Sequence, residues 1–377
     1  MTRRERVMAS LRGETVDRPP VSFYELNGLD ERPADVDPYN IYSHPSWQPL
    51  IELTRERTDR IVMRGVAYAS MTPDPIEELS ATETVTRDGS RITTRRVRAG
   101  GRTLTTRTRR DQDVNTVWTE EHLLKDIGDL HALLAVPPAP MEGQVDPSRV
   151  LRAEEALGET GIVMIDTPDP LCLAAGLFDM AEYTIIAMTE PTLFRELLER
   201  FAATLLPKTE AVAKALPGRL WRIYGPEYAS PPYLPPHLFR EYVCRYVTPM
   251  IEAIHRYGGY ARIHSHGNLQ AILPDIVSTG ADGLDPIEPP PQGDMELCDV
   301  RARYGKELVL FGNLEIADIE NLPTDLFAEK VKRALDEGTA GEGRGFILMP
   351  SACPYGRELA PLTMKNYETI IDIVEAM

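Results

Sequence analysis

The chain has 377 residues, a formal net charge of −17 and 26% charged residues, with a pI near 5.0. A surface of that sign repels a phosphate backbone, which excludes nucleic acid as a partner, and no apolar run approaches the ~20 residues needed to span a bilayer. Four scattered cysteines (Cys172, Cys244, Cys298, Cys353) without a CxxC pair read as free thiols in a reducing, cytoplasmic setting.

The opening Thr2-Arg-Arg-Glu-Arg-Val-Met-Ala-Ser-Leu predicts an amphipathic helix within an N-terminal arm, residues 1–18, too charged for a secretory leader. Short apolar runs then alternate with long helical patterns. The candidate core strands are Pro20–Tyr24, Arg60–Arg64, Ile162–Asp166, Leu220–Tyr224, Tyr260–His264, Gly283–Pro286, Glu307–Phe311 and Gly345–Met349. The clearest helical stretches are Ala181–Lys214, Pro236–Tyr257, Leu269–Thr279, Thr324–Glu337 and Thr363–Ala376. Eight such β/α units predict an α/β fold, a single (β/α)8 TIM-type barrel across residues 1–377, with its chemistry at the carboxyl ends of the strands.

One segment breaks the alternation. Residues 82–118 carry alternating runs of Thr, Arg and apolar residues around Asp88-Gly89 and Gly100-Gly101, which are hairpin turn signals. They predict an antiparallel β excursion inserted after the second strand, placed to cover one end of the barrel or to meet a second subunit. The run Val136-Pro-Pro-Ala-Pro-Met-Glu-Gly reads as a linker back into the barrel.

Polar residues gather after the predicted strands: Glu25, Asn27, Arg64, Asp166, Asp169, Tyr224, Glu227, His264, His266, Asp285, Glu288, Asn313, Glu315 and Cys353. His264 and His266 alternate along one strand end, so their imidazoles share a face. With Cys353, just past the last strand, they form a candidate three-ligand zinc site with an open fourth position. The alternative is that both histidines are hydrogen-bonding residues of the mouth and Cys353 is a small buried filler. Glu288, at the end of the next strand, is the candidate fourth ligand or a solvated carboxylate. Glu227 is a candidate general base, metal ligand or partner fixing a histidine tautomer. Asn313 either orients substrate or closes a turn, and Asp169 in Thr-Pro-Asp-Pro reads as a turn residue.

These residues together resemble the uroporphyrinogen decarboxylase superfamily. The likeness runs from Thr2–Val21 through Leu238-Phe-Arg-Glu-Tyr-Val and His264-Ser-His-Gly-Asn to Thr279–Pro289, Gly312-Asn-Leu and Gly345-Phe-Ile-Leu. It implies a (β/α)8 barrel, often a homodimer, with its site in the mouth. The decarboxylases carry an early arginine-rich loop and a nearby aspartate. Here Arg18-Pro-Pro-Val runs instead into Ser22-Phe-Tyr-Glu-Leu-Asn-Gly. The chain is more similar to the zinc-dependent methyltransferases that act between methylated corrinoid proteins and thiols such as coenzyme M. Their His-x-Cys is matched by His264-Ser265-His266, with histidine in place of cysteine, and their late cysteine by Cys353. The related barrel of cobalamin-independent methionine synthase adds a glutamate, comparable in placement to Glu288. A neutral imidazole for a thiolate makes such a metal site more positive, so a bound thiolate is held more tightly and is less nucleophilic.

The resemblance therefore implies a methyltransferase-like enzyme. Zinc would sit on His264, His266 and Cys353, with Glu288 displaceable or hydrogen-bonded behind them. Tyr224, Glu227 and Asn313 would position a small-molecule substrate, and Asp166 would contact a cofactor. Any corrinoid would arrive on a partner protein. The competing expectations are a metal-independent carboxy-lyase, in which Asp166 or Glu227 stabilises a protonated ring, and a non-catalytic tetrapyrrole or corrinoid binder.

Overall fold

The computed structural model describes residues 1–69, 72–139 and 143–377; residues 140–142 of the expected linker lie outside them. Seven strands, Arg60–Arg64, Gly161–Pro168, Leu220–Tyr224, Tyr260–His264, Gly283–Asp285, Val309–Leu314 and Phe346–Pro350, pair in parallel in chain order. The eighth expected strand, Pro20–Tyr24, is present as a crossing held by few bonds. Val21 bridges Leu348 in parallel, Leu348 N–H donates to Pro20 O at 2.9 Å, Ser22 N–H donates to Leu348 O at 3.0 Å, and Asp59 N–H donates to Val21 O at 2.7 Å. That segment thus joins the first and last strands of the sheet and curls it shut. Its ladder is short because Pro19 and Pro20 have no N–H to give.

Side chains alternate between the two sides of the sheet as strand geometry requires. Ile162, Met164, Leu220, Val309, Phe311, Ile347 and Met349 fill the barrel interior with Tyr24, whereas Val163, Ile165, Trp221, Ile223 and Ile263 face the helical layer. The N-terminal arm closes one end. Its helix, Arg3–Arg12, begins with a Thr2/Glu5 capping box and stops at Gly13 with φ 71°, and it sends Val7 and Leu11 into the interior cluster. Buried Asp59 ties the arm down by pairing with Arg6 at 2.6 Å and Arg18 at 2.8 Å, while also accepting from Val21 N–H at 2.9 Å.

Several helices differ in extent from the sequence expectation. Ala181–Lys214 is two helices, Met180–Thr189 and Pro191–Ala215, broken where Pro191 starts the second. Pro236–Tyr257 contains a π-helical turn at Arg240–Cys244, and Leu269–Thr279 shortens to Leu273–Ser278. The insertion is a four-stranded antiparallel sheet, Ser80–Arg87, Ser90–Ala99, Arg102–Arg110 and Val117–Glu121, slightly wider than residues 82–118. Both predicted turns are present, with positive φ at Asp88, Gly89, Gly100 and Gly101. One end packs Val97 and Leu104 against Leu130 and Leu133 of the helix Ile127–Leu134. The other end leans on the loops that follow Pro20–Tyr24 and Phe346–Pro350: Tyr39 OH donates to Gly89 O at 3.1 Å, and Asn115 N–H donates to Tyr355 O at 2.7 Å. Among the described residues no helix is long and apolar enough to cross a membrane.

Candidate active site

The site lies at the carboxyl ends of the central strands. Parallel register sets Asp166 beside Arg222 and Arg222 beside Arg262; one step along, it sets Tyr224 beside His264 and His264 beside Asp285. The lower level is a buried ionic floor. Arg222 Nε donates to Asp166 Oδ1 at 2.7 Å, Arg222 Nη1 donates to Tyr24 OH, and Arg262 Nε stands 2.8 Å from Asp285 Oδ1. Arg262 is 1% and Asp285 0% exposed, so each depends on the other for charge compensation. Burial alone would raise the Asp285 pKa, but Arg262 and His264 overcome it and bring the carboxyl down to about 2.

Above this floor the two histidines form carboxylate–imidazole pairs. His264 Nδ1 meets Asp285 Oδ2 at 2.8 Å, and its Nε2 has a long 3.5 Å contact with Tyr24 OH. His266 Nδ1 meets Glu288 Oε1 at 2.8 Å, while Gly267 N–H donates to Glu288 Oε2 at 3.1 Å. The rings stand nearly perpendicular, with centroids 4.7 Å apart. Their surroundings differ: the His264 side chain is 8% exposed and that of His266 38%. Burial disfavours charge on His266, yet the bond to Glu288 and the fields of Glu288, Glu227 and Asp285 raise its pKa overall. For Glu288 burial is the largest single influence and raises its pKa, but the bond to His266, the field of that ring, the Gly267 N–H and the field of His264 together outweigh it and leave the carboxyl lowered.

The remaining predicted residues are distributed around this centre. Tyr224 flanks Arg222, whose guanidinium carbon is 5.1 Å from the ring centroid, and burial pushes its phenol up to about 12. Glu227 accepts from Gly225 N–H at 2.9 Å and contributes its field to His266. Asp166 is engaged by Arg222. Asp169 is the turn residue expected, capping the helix Pro170–Ala175 by accepting from Cys172 N–H at 2.7 Å. Asn313 and Glu315 line a cleft between the barrel and the helix Thr324–Gly338. Glu315 accepts from Ser351 Oγ at 3.2 Å; burial, then the field of Glu288, push its carboxyl up to about 7.

Cys353 does not join the histidines. Its thiol donates to Pro354 O at 3.2 Å. It is pushed well above the usual thiol range by burial, then by the fields of Glu25, Glu31 and Glu320. Among the described residues no group of three or more His, Cys, Asp and Glu side chains is arranged to hold a metal ion. The donor set therefore does not fit the three-ligand zinc site of the first expectation. Both histidines are instead engaged in hydrogen bonds to carboxylates, and the cysteine is half-buried. Sequence reasoning passed over Tyr24, Arg222 and Arg262. The available signal was an arginine, at a position alternating with Tyr224 or His264, inside an otherwise apolar strand.

A closed (β/α)8 barrel with paired acids, bases and guanidinium groups at its strand ends defines a class of enzyme-like barrel. A family model described as uroporphyrinogen decarboxylase (URO-D) matches residues 141–365, more than half of the chain, and the chain belongs to that family. The solved structure of a methyltransferase from Methanosarcina mazei is similar in fold, with a TM-score of 0.60 at 15% sequence identity, covering 100% of this chain and 99% of that one. No curated protein matches the sequence.

Proposed function

We propose that this chain is a methyltransferase-type member of its family. It would move a methyl group from a methylated corrinoid protein or small methylated compound to a thiol acceptor, with His266 as the general base. The observation that carries this reading is the asymmetry of the two imidazoles. Glu288 occupies Nδ1 of His266 and is itself held by Gly267, so Nε2 is the ring position left for substrate, on the more exposed histidine. His264, enclosed between Tyr24 and Asp285, supports it from below.

An acceptor S–H gives its proton to His266 Nε2, and Glu288 stabilises the imidazolium that forms. The sulfur electron pair then forms a bond to the methyl carbon while the donor–methyl bond breaks and its electron pair leaves with the donor. Tyr224 and Glu227 border the base and shape the acceptor site. No step is routed through zinc.

The test is to incubate the protein with methylcobalamin or small methylated donors and a panel of thiols. Thioether formation that falls sharply in His266→Ala supports the reading. The reading fails if every donor and thiol combination is inert, and carbon dioxide release from uroporphyrinogen would redirect it to decarboxylation.

A further inference from the structure

The outer strand of the insertion, Ser80–Arg87, pairs with Ser90–Ala99 alone, and among the described residues no segment bonds to its outer side. Residues 81–89 are all exposed. Natural edges are protected by charged side chains, lysine above all, by proline, by a bulge or by a covering element. This strand contains no lysine or proline, its only charges are the opposite pair Glu83 and Arg87, each in just a loose 3.7 Å contact within the chain, and its register shows no shift. Asp88 and Gly89, with φ of 50° and 80°, form a two-residue hairpin turn, which makes Arg87 and Ser90 a doubly bonded pair. By alternation Glu83 and Val85 also direct their backbone groups inward. Thr82, Thr84 and Thr86 direct theirs away from the sheet.

We propose that this edge pairs antiparallel with the same strand of a second copy, about a two-fold axis through Val85. In that register Thr84 and the partner's Thr86 exchange backbone bonds, and Val85 meets the partner's Val85. Glu83 lies opposite the partner's Arg87, giving two opposite-charge pairs by symmetry. A register centred on Thr84 instead sets Glu83 against the partner's Val85 and loses both charge pairs. Sequence and register thus make the strand self-complementary in one arrangement, which joins two four-stranded sheets into one.

Sedimentation equilibrium of the full chain, over a range of micromolar concentrations, tests this. The wild type approaches twice the 42.2 kDa chain mass as concentration rises. Thr84→Pro removes an outward N–H without touching the inner ladder and leaves a monomer. Arg87→Glu, at a side chain 80% exposed, also leaves a monomer, and adding Glu83→Arg restores the dimer. Under oxidation Val85→Cys forms an inter-chain disulfide at position 85, located by peptide mass mapping. A wild type that stays monomeric overturns the proposal, as does a dimer unaffected by both Thr84→Pro and Arg87→Glu.

Discussion

Glu288 grips His266 and its neighbour at once: one carboxylate oxygen lies 2.8 Å from Nδ1 of the ring and the other accepts from Gly267 N–H at 3.1 Å. The imidazole is thereby fixed in rotation and tautomer, a service that orienting carboxylates commonly give to functional histidines. Replacing Glu288 with Gln keeps the shape and removes the charge. The His266 titration midpoint should fall in that variant, read by NMR of the ring protons, and turnover should drop by about 10–100-fold. His266→Ala should cost about 10²–10⁴-fold. Because the folded-state pKa of His266 is raised, the pair stabilises the fold fully below the ordinary histidine range. That contribution is lost as pH rises through the raised value.

Glu315 behaves in the opposite sense from most surface carboxylates. Its pKa rises from 4.5 to about 7 on folding, so the folded state holds a proton that the unfolded chain has released. Stability should decline as pH rises from 4.5 to about 7 and level off above it. Glu315→Gln should flatten that slope and be more stable above neutrality, by on the order of 2 kcal/mol. Urea unfolding at a series of pH values checks this; an unchanged slope in the variant contradicts it.

The buried pair Arg262–Asp285 predicts a large asymmetry between removing one partner and replacing both. Asp285→Ala leaves a guanidinium without its charge partner and should destabilise by about 3–5 kcal/mol, whereas Arg262→Met with Asp285→Leu should cost much less. Asp285 is lowered to about 2 from 3.8. Its stabilisation is therefore present above pH 3.8 and lost as pH falls through about 2. Thermal unfolding of the single and double variants separates these outcomes.

Protein purified without chelators should contain well under one zinc per chain, because among the described residues no third donor is arranged beside the two histidines. Chelation should leave turnover unchanged. One full equivalent of zinc, lost in both His266→Ala and Cys353→Ala, would contradict this and would require Cys353 to move toward the histidines.

The barrel was legible because most wall strands are apolar runs followed by a helical pattern, and chain-order pairing needs no further information. The proximity of Glu288 to His266 followed from the same rule, since consecutive strands bring their loops together. The position of Cys353 was not legible: a residue beyond a strand end can turn toward the mouth or away from it, and packing beside Tyr42 and Tyr367 decides which. Arg222 and Arg262 were hidden for a related reason. A lone arginine in a strand reads as a solvated edge unless its acid, here on a neighbouring strand, is known to share its level.

Closure of the barrel rests on Val21 meeting Leu348, residues far apart along the chain. During synthesis the last wall strand, Phe346–Pro350, leaves the ribosome only after all the other wall strands. Until then the growing sheet has two unsealed margins, and its interior residues wait without their final neighbours. Domains built on such remote pairings fold slowly and expose sticky surface meanwhile. Chain termination shortly before Phe346 would therefore leave an open, aggregation-prone sheet instead of a slightly shorter barrel.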